Sequence, residues 1–438
     1  MLYWMQQAQR VSYNHALNFS IAKANDEKIP LCVLFVLTDD FPDAETAHFV
    51  FMLEGLIEVR DELDKQGIPF IFHKGNPVDI VSEYSGNASC VVFDTGCLRI
   101  QKAWRNAIRE RVEKPIFQVE SDVAIPVETA SNKREYMART LRPKILGSLK
   151  DVLEDIDNQK DAREEKNKIK IRDKNPDGLG DFTPGIEKFL EDYRKEARKV
   201  RFKGGHSIAV NQFKKFLNEK LPKYSDWSNH PEKENVSNMS PYLHFGQISP
   251  LELIEMIRNK YDLNEPFVQD YLEQLIVRRE LAVNFVYYTN NYDSLDALPD
   301  WAKKTLNDHV KDQREYLYSF EELESGKTHD TEWNACMKEM RETGFMHGYM
   351  RMYWGKKIIE WTDNPETAYR IIISLNNKYF LDGRDPVSYA SVLWLFGLHD
   401  QAWQERPVFG KIRYMNNAGL KRKFDMRKYV ERVEMFSF

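Results

Sequence analysis

The chain has 438 residues, of which 42% are hydrophobic and 30% charged, with a net charge of −5. That length exceeds one compact core and predicts two domains of an ordinary globular protein. No apolar run reaches the ~18 residues a membrane span needs, and a negative balance excludes a protein that coats nucleic acid by bulk charge, so any DNA contact must come from a local patch.

The N-terminus opens on Leu2-Tyr3-Trp4-Met5 without the basic-then-apolar pattern of a secretory signal. The expected location is the cytoplasm, or the nucleus of a eukaryotic host. Leu31–Leu37 is an unbroken apolar run and predicts a buried strand. Phe49, Met52, Leu53, Leu56, Ile57 and Leu63 keep helical spacing, and Gly67 ends that helix. Ile68–Phe72, Ser89–Phe93 and Ile116–Val119 read as further strands, with helices over Val78–Tyr84 and Ile100–Val112 between them. Strands alternating with helices predict a doubly wound parallel sheet, an α/β domain over residues 1–150. No G-x-G-x-x-G follows the first strand, so a dinucleotide site of the Rossmann type is not expected. Asp39, Asp40 and Asp94 follow strand ends and read as solvated turns, with ligand contact as the other reading. The four cysteines, Cys32, Cys90, Cys97 and Cys336, show neither a Cys-x-x-Cys pair nor zinc spacing and read as reduced core thiols; no metal is expected.

Residues 151–185 mix Asp, Glu, Lys and Arg densely and end in Asn175-Pro176-Asp177-Gly178, which predicts an exposed, partly helical interdomain linker. From residue 186 to 438 the patterns are helical, as over Leu251–Tyr261, Phe267–Tyr288, Trp333–Trp361 and Pro365–Leu375, and predict an all-α second domain. Seven of the nine tryptophans lie between Trp227 and Trp403. Ser237-Asn238-Met239-Ser240-Pro241 places small polar residues at a helix start, where they serve either as a plain N-cap or as a phosphate site. Trp354 and Trp361 are seven residues apart, two helical turns and an axial rise of about 10 Å, so they share a face.

Five segments carry a more specific signal. They are Ser240–Gly246 (Ser-Pro-Tyr-Leu-His-Phe-Gly), Met346–Trp361, Leu375–Pro386, Gly410–Met415 and Lys421–Asp425. In this order they closely resemble class II cyclobutane-dimer DNA photolyases, and the resemblance extends over almost the whole chain. It implies light-driven repair of cyclobutane pyrimidine dimers in DNA by an electron from photoexcited reduced FAD. The same resemblance implies a U-shaped FAD in the helical domain and an antenna chromophore, deazaflavin or folate, in the α/β domain. Tyr224, Ser237, Asn238, Met239 and Ser240 should then hold the FAD phosphates. Asn376 should face flavin N5, Arg351 and Asp382 should pair beside the isoalloxazine, and Arg384 should complete the cofactor site. Trp354, Trp333 and Trp361 should form a photoreduction relay from flavin to surface. Gln274, Met352, Trp394 and Asn229 should line the pocket for the flipped dimer. Lys411, Arg413, Lys421, Arg422 and Lys423, with Arg427 and Lys428, are the expected phosphate contacts, although a solvated basic helix explains them equally.

Three positions depart from the family pattern. Gln274 stands where an acid is usual, Ser228 where an Arg is usual, and Val283 where an Asp is usual. These departures bear on repair efficiency, and those at Ser228 and Gln274 favour the alternative of a cryptochrome-like FAD photosensor. Asn376, a neutral donor and acceptor at the N5 position, favours the repair enzyme, as does a chain that stops soon after Asp425. Repair of (6-4) photoproducts is disfavoured, because His347 stands alone in its motif. The chain is expected to act as a monomer.

Overall fold

The computed structural model describes residues 1–158, 168–169 and 185–436. Five strands form one sheet: β1 (Leu2–Trp4), β2 (Cys32–Leu37), β3 (Phe70–Lys74), β4 (Val91–Asp94) and β5 (Ile116–Val119). The order is β3-β2-β1-β4-β5 and every pairing is parallel, with Tyr3 opposite Val33 on one side and Val92 on the other. Helices α1 (His15–Glu27), α2 (Thr46–Gln66), α3 (Pro77–Ser85) and α4 (Arg99–Arg111) supply the crossovers. Side chains alternate between the two sheet faces. Tyr3, Val33, Phe35 and Val92 join a core shared with α2 and with helices far along the chain, whereas Leu2, Trp4, Leu34, Val91 and Phe93 pack with Ile108 of α4.

The predicted strands and helices of this half are present, with ends shifted by a residue or two. Two elements at the N-terminal end were not anticipated. The central strand β1 is the N-terminal Leu2-Tyr3-Trp4 itself, too short for an alternation pattern, and α1 follows it. Gly67 ends α2 at φ 74°, as its position suggested. Asp94 corrects the solvated-turn reading. It is fully buried and accepts hydrogen bonds from the backbone of Gln6 (2.8 Å), Gln7 (2.9 Å) and Ala8 (2.6 Å), folding the N-terminal loop over the end of β4. Burial nevertheless pushes its carboxyl up to about 6.

Helices α5 (Val127–Ala130) and α6 (Ala138–Asn158) follow the sheet. Helix α6 runs unbroken through residue 150, and Leu153 and Ile156 are buried, so the start of the charged stretch packs as well as links. The rest of that stretch, apart from residues 168–169, lies outside the described residues up to 184. Beyond it the described chain is helical, with one isolated bridge, Arg406 to Gly410. Pro266–Leu272, Glu273–Arg278 and Arg279–Tyr288 form one continuous rod whose middle section is a π-helix. The Trp333–Trp361 stretch is two helices, Thr331–Thr343 and Gly348–Glu360, separated where Gly344 takes φ 72°.

The two halves meet at buried polar contacts. Arg10, fully buried, donates to the Gly246 carbonyl at 2.9 Å, and Gln247 donates to the Phe51 carbonyl at 3.0 Å. A Cβ on Gly246 would lie 1.9 Å from the Gln7 carbonyl oxygen, so the Ser240–Gly246 segment turns there only with glycine. All four cysteines are free and buried. No described helix is long and apolar enough to cross a membrane.

Candidate active site

The Pro365–Tyr379 helix brings Asn376 to its last turn, and the chain then folds back over that end. Phe380 N–H donates to the Asn376 carbonyl at 3.0 Å, and Asn376 Nδ2 donates to Asn377 Oδ1 at 3.1 Å. Asn377 Oδ1 also accepts from the Arg384 backbone at 3.0 Å. A Cβ on Gly383 would meet the Asn376 carbonyl at 2.8 Å, so the tight return depends on that glycine. Asn376, Asp382 and Arg384 are all buried. Arg384 approaches His48 of α2 at 3.1 Å, and burial lowers its guanidinium to about 10. Arg351, from the Gly348–Glu360 helix, pairs with Asp382 at 3.0 Å and lies 3.9 Å from the Phe380 ring centre. Asn376, Arg351, Asp382 and Arg384 therefore gather at one chain return, with Arg351 paired to Asp382 and with Asn376 and Arg384 linked through Asn377.

A second polar group gathers Tyr224 and Ser237–Ser240. Tyr224 packs edge-on to Tyr271 at 5.2 Å, and the Met239 backbone N–H donates to Ser237 Oγ at 3.4 Å. Asn238 takes the left-handed backbone at φ 59°, and its Oδ1 is buried without a hydrogen-bond partner. Met239 is buried, and Ser240 opens the short Ser240–His244 helix.

The three tryptophans form one buried train. Trp354 packs 6.3 Å from Phe380, which ties its ring to the Asn376 group. Trp333 Nε1 donates to the Trp354 carbonyl at 3.0 Å, and the Trp333 ring meets Trp361 edge-on at 5.4 Å. The spatial order is Trp354, Trp333, Trp361. None is more than 2% exposed, so Trp361 is not itself a surface residue. Trp361 also caps the helix rather than lying within it.

Met352 and Trp394 line a shared hollow with Lys356, Leu395, Asp400, Arg413 and Met415. Lys356 was not anticipated. It is fully buried, donates to the Leu395 carbonyl, and is pushed down to about 7 by burial. Trp403 was also missed; it is 42% exposed, with Arg413 at 4.5 Å from its ring. An aromatic residue in the polar Asp400–Glu405 stretch was the signal available. Gln274 and Asn229 are exposed. Gln274 sits on the π-helical section, so the even α-helical spacing assumed from sequence does not apply there. Its neighbour Glu273 is held by Arg142 (2.8 Å) and Arg278 (3.0 Å), which, against burial, keep its carboxyl below the usual range. Val283 is buried in the core, and the Ser228 carbonyl accepts from His347 Nε2 at 3.0 Å.

A family model described as DNA photolyase matches residues 1–162. A deoxyribodipyrimidine photo-lyase from Methanothermobacter thermautotrophicus is 47% identical over 437 residues, covering 99% of this chain and 94% of that protein. The chain belongs to the DNA photolyase family. Two solved structures share the fold at low identity. A Sulfolobus tokodaii photolyase described with two FAD molecules superposes with a TM-score of 0.71 at 17% identity, covering 98% of this chain and 89% of that one. A cryptochrome from Synechocystis gives 0.76 at 14% identity, covering 99% and 89%.

The basic residues of this photolyase-family chain are not equivalent. Lys421 pairs with Glu332 at 2.9 Å, Lys423 reaches the Tyr349 hydroxyl at 3.3 Å, Arg413 lies 3.4 Å from Asp400 and Lys411 lies 3.9 Å from Glu405. Arg427 and Lys428 pair with Glu431 and Asp425. Arg422 is exposed on the same helix, Asn417–Lys423, as Lys421 and Lys423. A separate cavity of about 590 Å³ opens where β4 and β5 end, between Thr95, Val119, Glu120, Ile156, Leu251 and Tyr287. Burial pushes the Glu120 carboxyl there up to about 7.

Proposed function

We propose that this chain repairs cyclobutane pyrimidine dimers in DNA with light, as a class II enzyme, and that Asn376, Arg351, Asp382 and Arg384 surround the ring of a reduced FAD. The observation that carries the reading is the 47% identity along the full chain to a deoxyribodipyrimidine photo-lyase. The residues present fit the cofactor. The unpartnered Asn238 Oδ1 and the hydroxyls of Tyr224, Ser237 and Ser240 supply neutral polar groups, and the Arg351–Asp382 pair supplies a compensated charge near the ring. When bound and reduced, FAD supplies the photoexcited electron that opens the dimer. Asn376 offers an amide beside the ring without adding charge. Met352 and Trp394 present an apolar face to an extruded dimer and exclude water from it. Trp354, Trp333 and Trp361 would conduct electrons toward a bound flavin.

In this reading residues 1–150 form an antenna-binding α/β unit, 151–185 a linker and 186–438 the FAD-binding unit. The cavity at the ends of β4 and β5 is the place for a deazaflavin or folate antenna, since it is large and mixes apolar walls with Glu120. The protein acts as a monomer on DNA, in the cytoplasm or a nucleus. The test is conversion of a dimer-containing oligonucleotide under blue light, with a dark control. Full flavin occupancy with no light-dependent conversion would instead support the photosensor reading.

A further inference from the structure

One buried charge beside Met352 and Trp394 forms no ion pair among the described residues. Lys356 lies one turn after Met352 on the Gly348–Glu360 helix, and both line the hollow they share with Trp394 and Leu395. It is 2% exposed, and its ammonium donates to the Leu395 carbonyl at the end of the Pro386–Leu395 helix, which carries Trp394. The charged groups facing it are Asp400 and Arg413, from the segment that follows that helix. Asp400 is committed elsewhere: it accepts from the Trp403 indole at 3.3 Å and lies 3.4 Å from Arg413. On the helix of Lys356 itself, Arg351 pairs with Asp382 and Lys357 with Glu360. The Pro386–Leu395 helix has Tyr389 as its one titratable side chain, and that ring packs on Tyr292 at 4.9 Å. A buried ammonium with no anion in contact costs stability, so its presence here calls for a chemical reason.

We propose that Lys356 is the buried cation of the dimer pocket, and that its charge stabilises the dimer while the dimer holds the transferred electron. The inference rests on the reading of Met352 and Trp394 as walls of that pocket. The pyrimidine rings enter uncharged and take one electron. The two carbon–carbon bonds that join them break, and the electron is given back. Lys356 keeps its proton throughout. With Asp400 set against Arg413, the hollow carries one net positive charge, and the anion it favours exists only between the two transfers. A charge fixed in a water-excluded site acts strongly and needs no rearrangement at that moment. It adds little to the binding of uncharged rings, so it belongs to the reacting state rather than to affinity. Ser228 stands where an Arg is usual in the family, which leaves the pocket without that cation. Burial pushes the Lys356 ammonium down to about 7. Its charge is therefore present below that value and lost as pH rises through it, and the phosphates of bound DNA move the titration upward.

The test uses the full-length protein with chemically reduced flavin and a dimer-containing oligonucleotide. Affinity is measured in the dark and quantum yield under blue light, both against pH. Lys356→Met and Lys356→Gln remove the charge at similar volume, and Gln keeps a donor for the Leu395 carbonyl. Both should hold dark affinity within about twofold and lower the yield by at least about threefold, as for an interaction made only in the reacting state. The yield of the unaltered protein should fall as pH rises through the ammonium's titration, and both variants should lose that step. Lysine carrying an isotopic label at Cε should show, without DNA or light, one resonance titrating near 7 that is absent from Lys356→Met. Lys356→Met should unfold no earlier than the unaltered protein, because an apolar side chain replaces a buried charge. If neither variant folds, the pH profile and the resonance of the unaltered protein decide. Full yield in Lys356→Gln overturns the proposal, since the hydrogen bond and not the charge would then matter. Lost dark affinity with an unchanged yield also overturns it, by assigning Lys356 to the seating of Trp394. Unaltered protein that binds no dimer DNA in the dark fails the repair reading, and this inference with it. Normal dark binding and repair with a pH-independent yield fails this inference alone.

Discussion

Trp333 donates its indole N–H to the main-chain carbonyl of Trp354 at 3.0 Å, from a different helix. The bond fixes the middle indole against the helix that carries Arg351 and Trp354, and the Trp333 ring then reaches Trp361 at 5.4 Å. Trp354 and Trp361 share a helix face by sequence spacing, yet it is Trp333 that bridges them. Substituting the bridge should thus do more damage to photoreduction than its remote position in sequence suggests.

Trp333→Phe should abolish or strongly slow photoreduction of oxidised FAD. Repair should persist when the flavin is reduced chemically beforehand, because the proposed relay would serve the cofactor and not the lesion. The fully buried indole leaves a void and loses one hydrogen bond, a cost of about 1–3 kcal/mol, so thermal unfolding should be measured alongside. Photoreduction equal to that of the unaltered protein would remove Trp333 from the path.

Asp382→Asn should weaken flavin binding. Arg351 would keep its place over Phe380 but lose its counter-charge at the proposed site of the cofactor ring. A tenfold fall in affinity corresponds to ~1.4 kcal/mol, and at least that much is expected. Equilibrium dialysis of FAD against both proteins checks it, and equal affinity would place the ring elsewhere.

His347 predicts an acid-sensitive fold. It caps the Gly348–Glu360 helix with Nδ1 accepting from Tyr349 N–H at 3.2 Å, while Nε2 donates to the Ser228 carbonyl. Both nitrogens are committed to the neutral ring, and burial lowers it from 6.5 to about 4. A depressed folded value means that its contribution is fully present above pH 6.5 and is lost as pH falls toward 4. At ~1.4 kcal/mol per unit the loss reaches up to about 3 kcal/mol. Gln at this position can accept and donate without titrating. The stability gap between His347→Gln and the unaltered protein should therefore shift in favour of the variant between pH 7 and pH 4.5 in urea denaturation. His399, lowered in the same direction, is common to both proteins and cancels. A gap independent of pH would exonerate His347.

Neutralising the basic helix residue by residue should resolve what a triple substitution would blur. Lys421 is engaged with Glu332 and Lys423 with Tyr349, whereas Arg422 is exposed beside them. Arg422→Ala should reduce the salt slope of dimer-DNA binding by nearly one unit, as for one lost phosphate contact. Lys421→Ala should change it less, because Glu332 competes for that ammonium. An equal effect of both, or none, would show that the helix does not approach the backbone in this way.

Much of this arrangement was legible in the sequence, and the exceptions share a cause. Long apolar runs and helical spacing located β2 to β5 and their crossovers, because each pattern is local. Strand β1 was not located, because three residues cannot show a period; only its pairing with both β2 and β4 makes it central. Asp94 reads as a turn residue until the loop Gln6–Ala8, more than eighty residues away, brings three N–H groups to it. Asn376, Arg351, Asp382 and Arg384 were named through motifs and do come together, but the contacts of Arg384 with His48 and of Gln247 with Phe51 cross the two halves of the chain.

Glu273 and Gln274 offer the sharpest division of structural from chemical work. Family resemblance places an acid where Gln274 stands, with Glu273 as the substitute if the register slips by one. The π-helical turn makes such a slip a physical question, since it rotates side chains differently from an α-turn. Glu273 already neutralises Arg142 and Arg278. Its removal would leave two guanidinium groups without their shared anion. Gln274 is exposed and so available to a flipped base. Its amide can donate to a thymine carbonyl as negative charge develops there, at any pH, whereas a carboxyl must first be protonated. Gln274→Ala should therefore lower the quantum yield of repair while leaving thermal stability within ~0.5 kcal/mol. Glu273→Ala should lower stability and leave the yield per folded, flavin-loaded molecule unchanged. Gln274→Glu should restore donation only at acidic pH and add a titration to a profile otherwise flat from this position. Quantum yields of the three variants against pH, each normalised to bound flavin, decide the matter. If Glu273→Ala alone impairs repair, the donor to the dimer is Glu273 and the pairing with Arg142 must open when DNA binds.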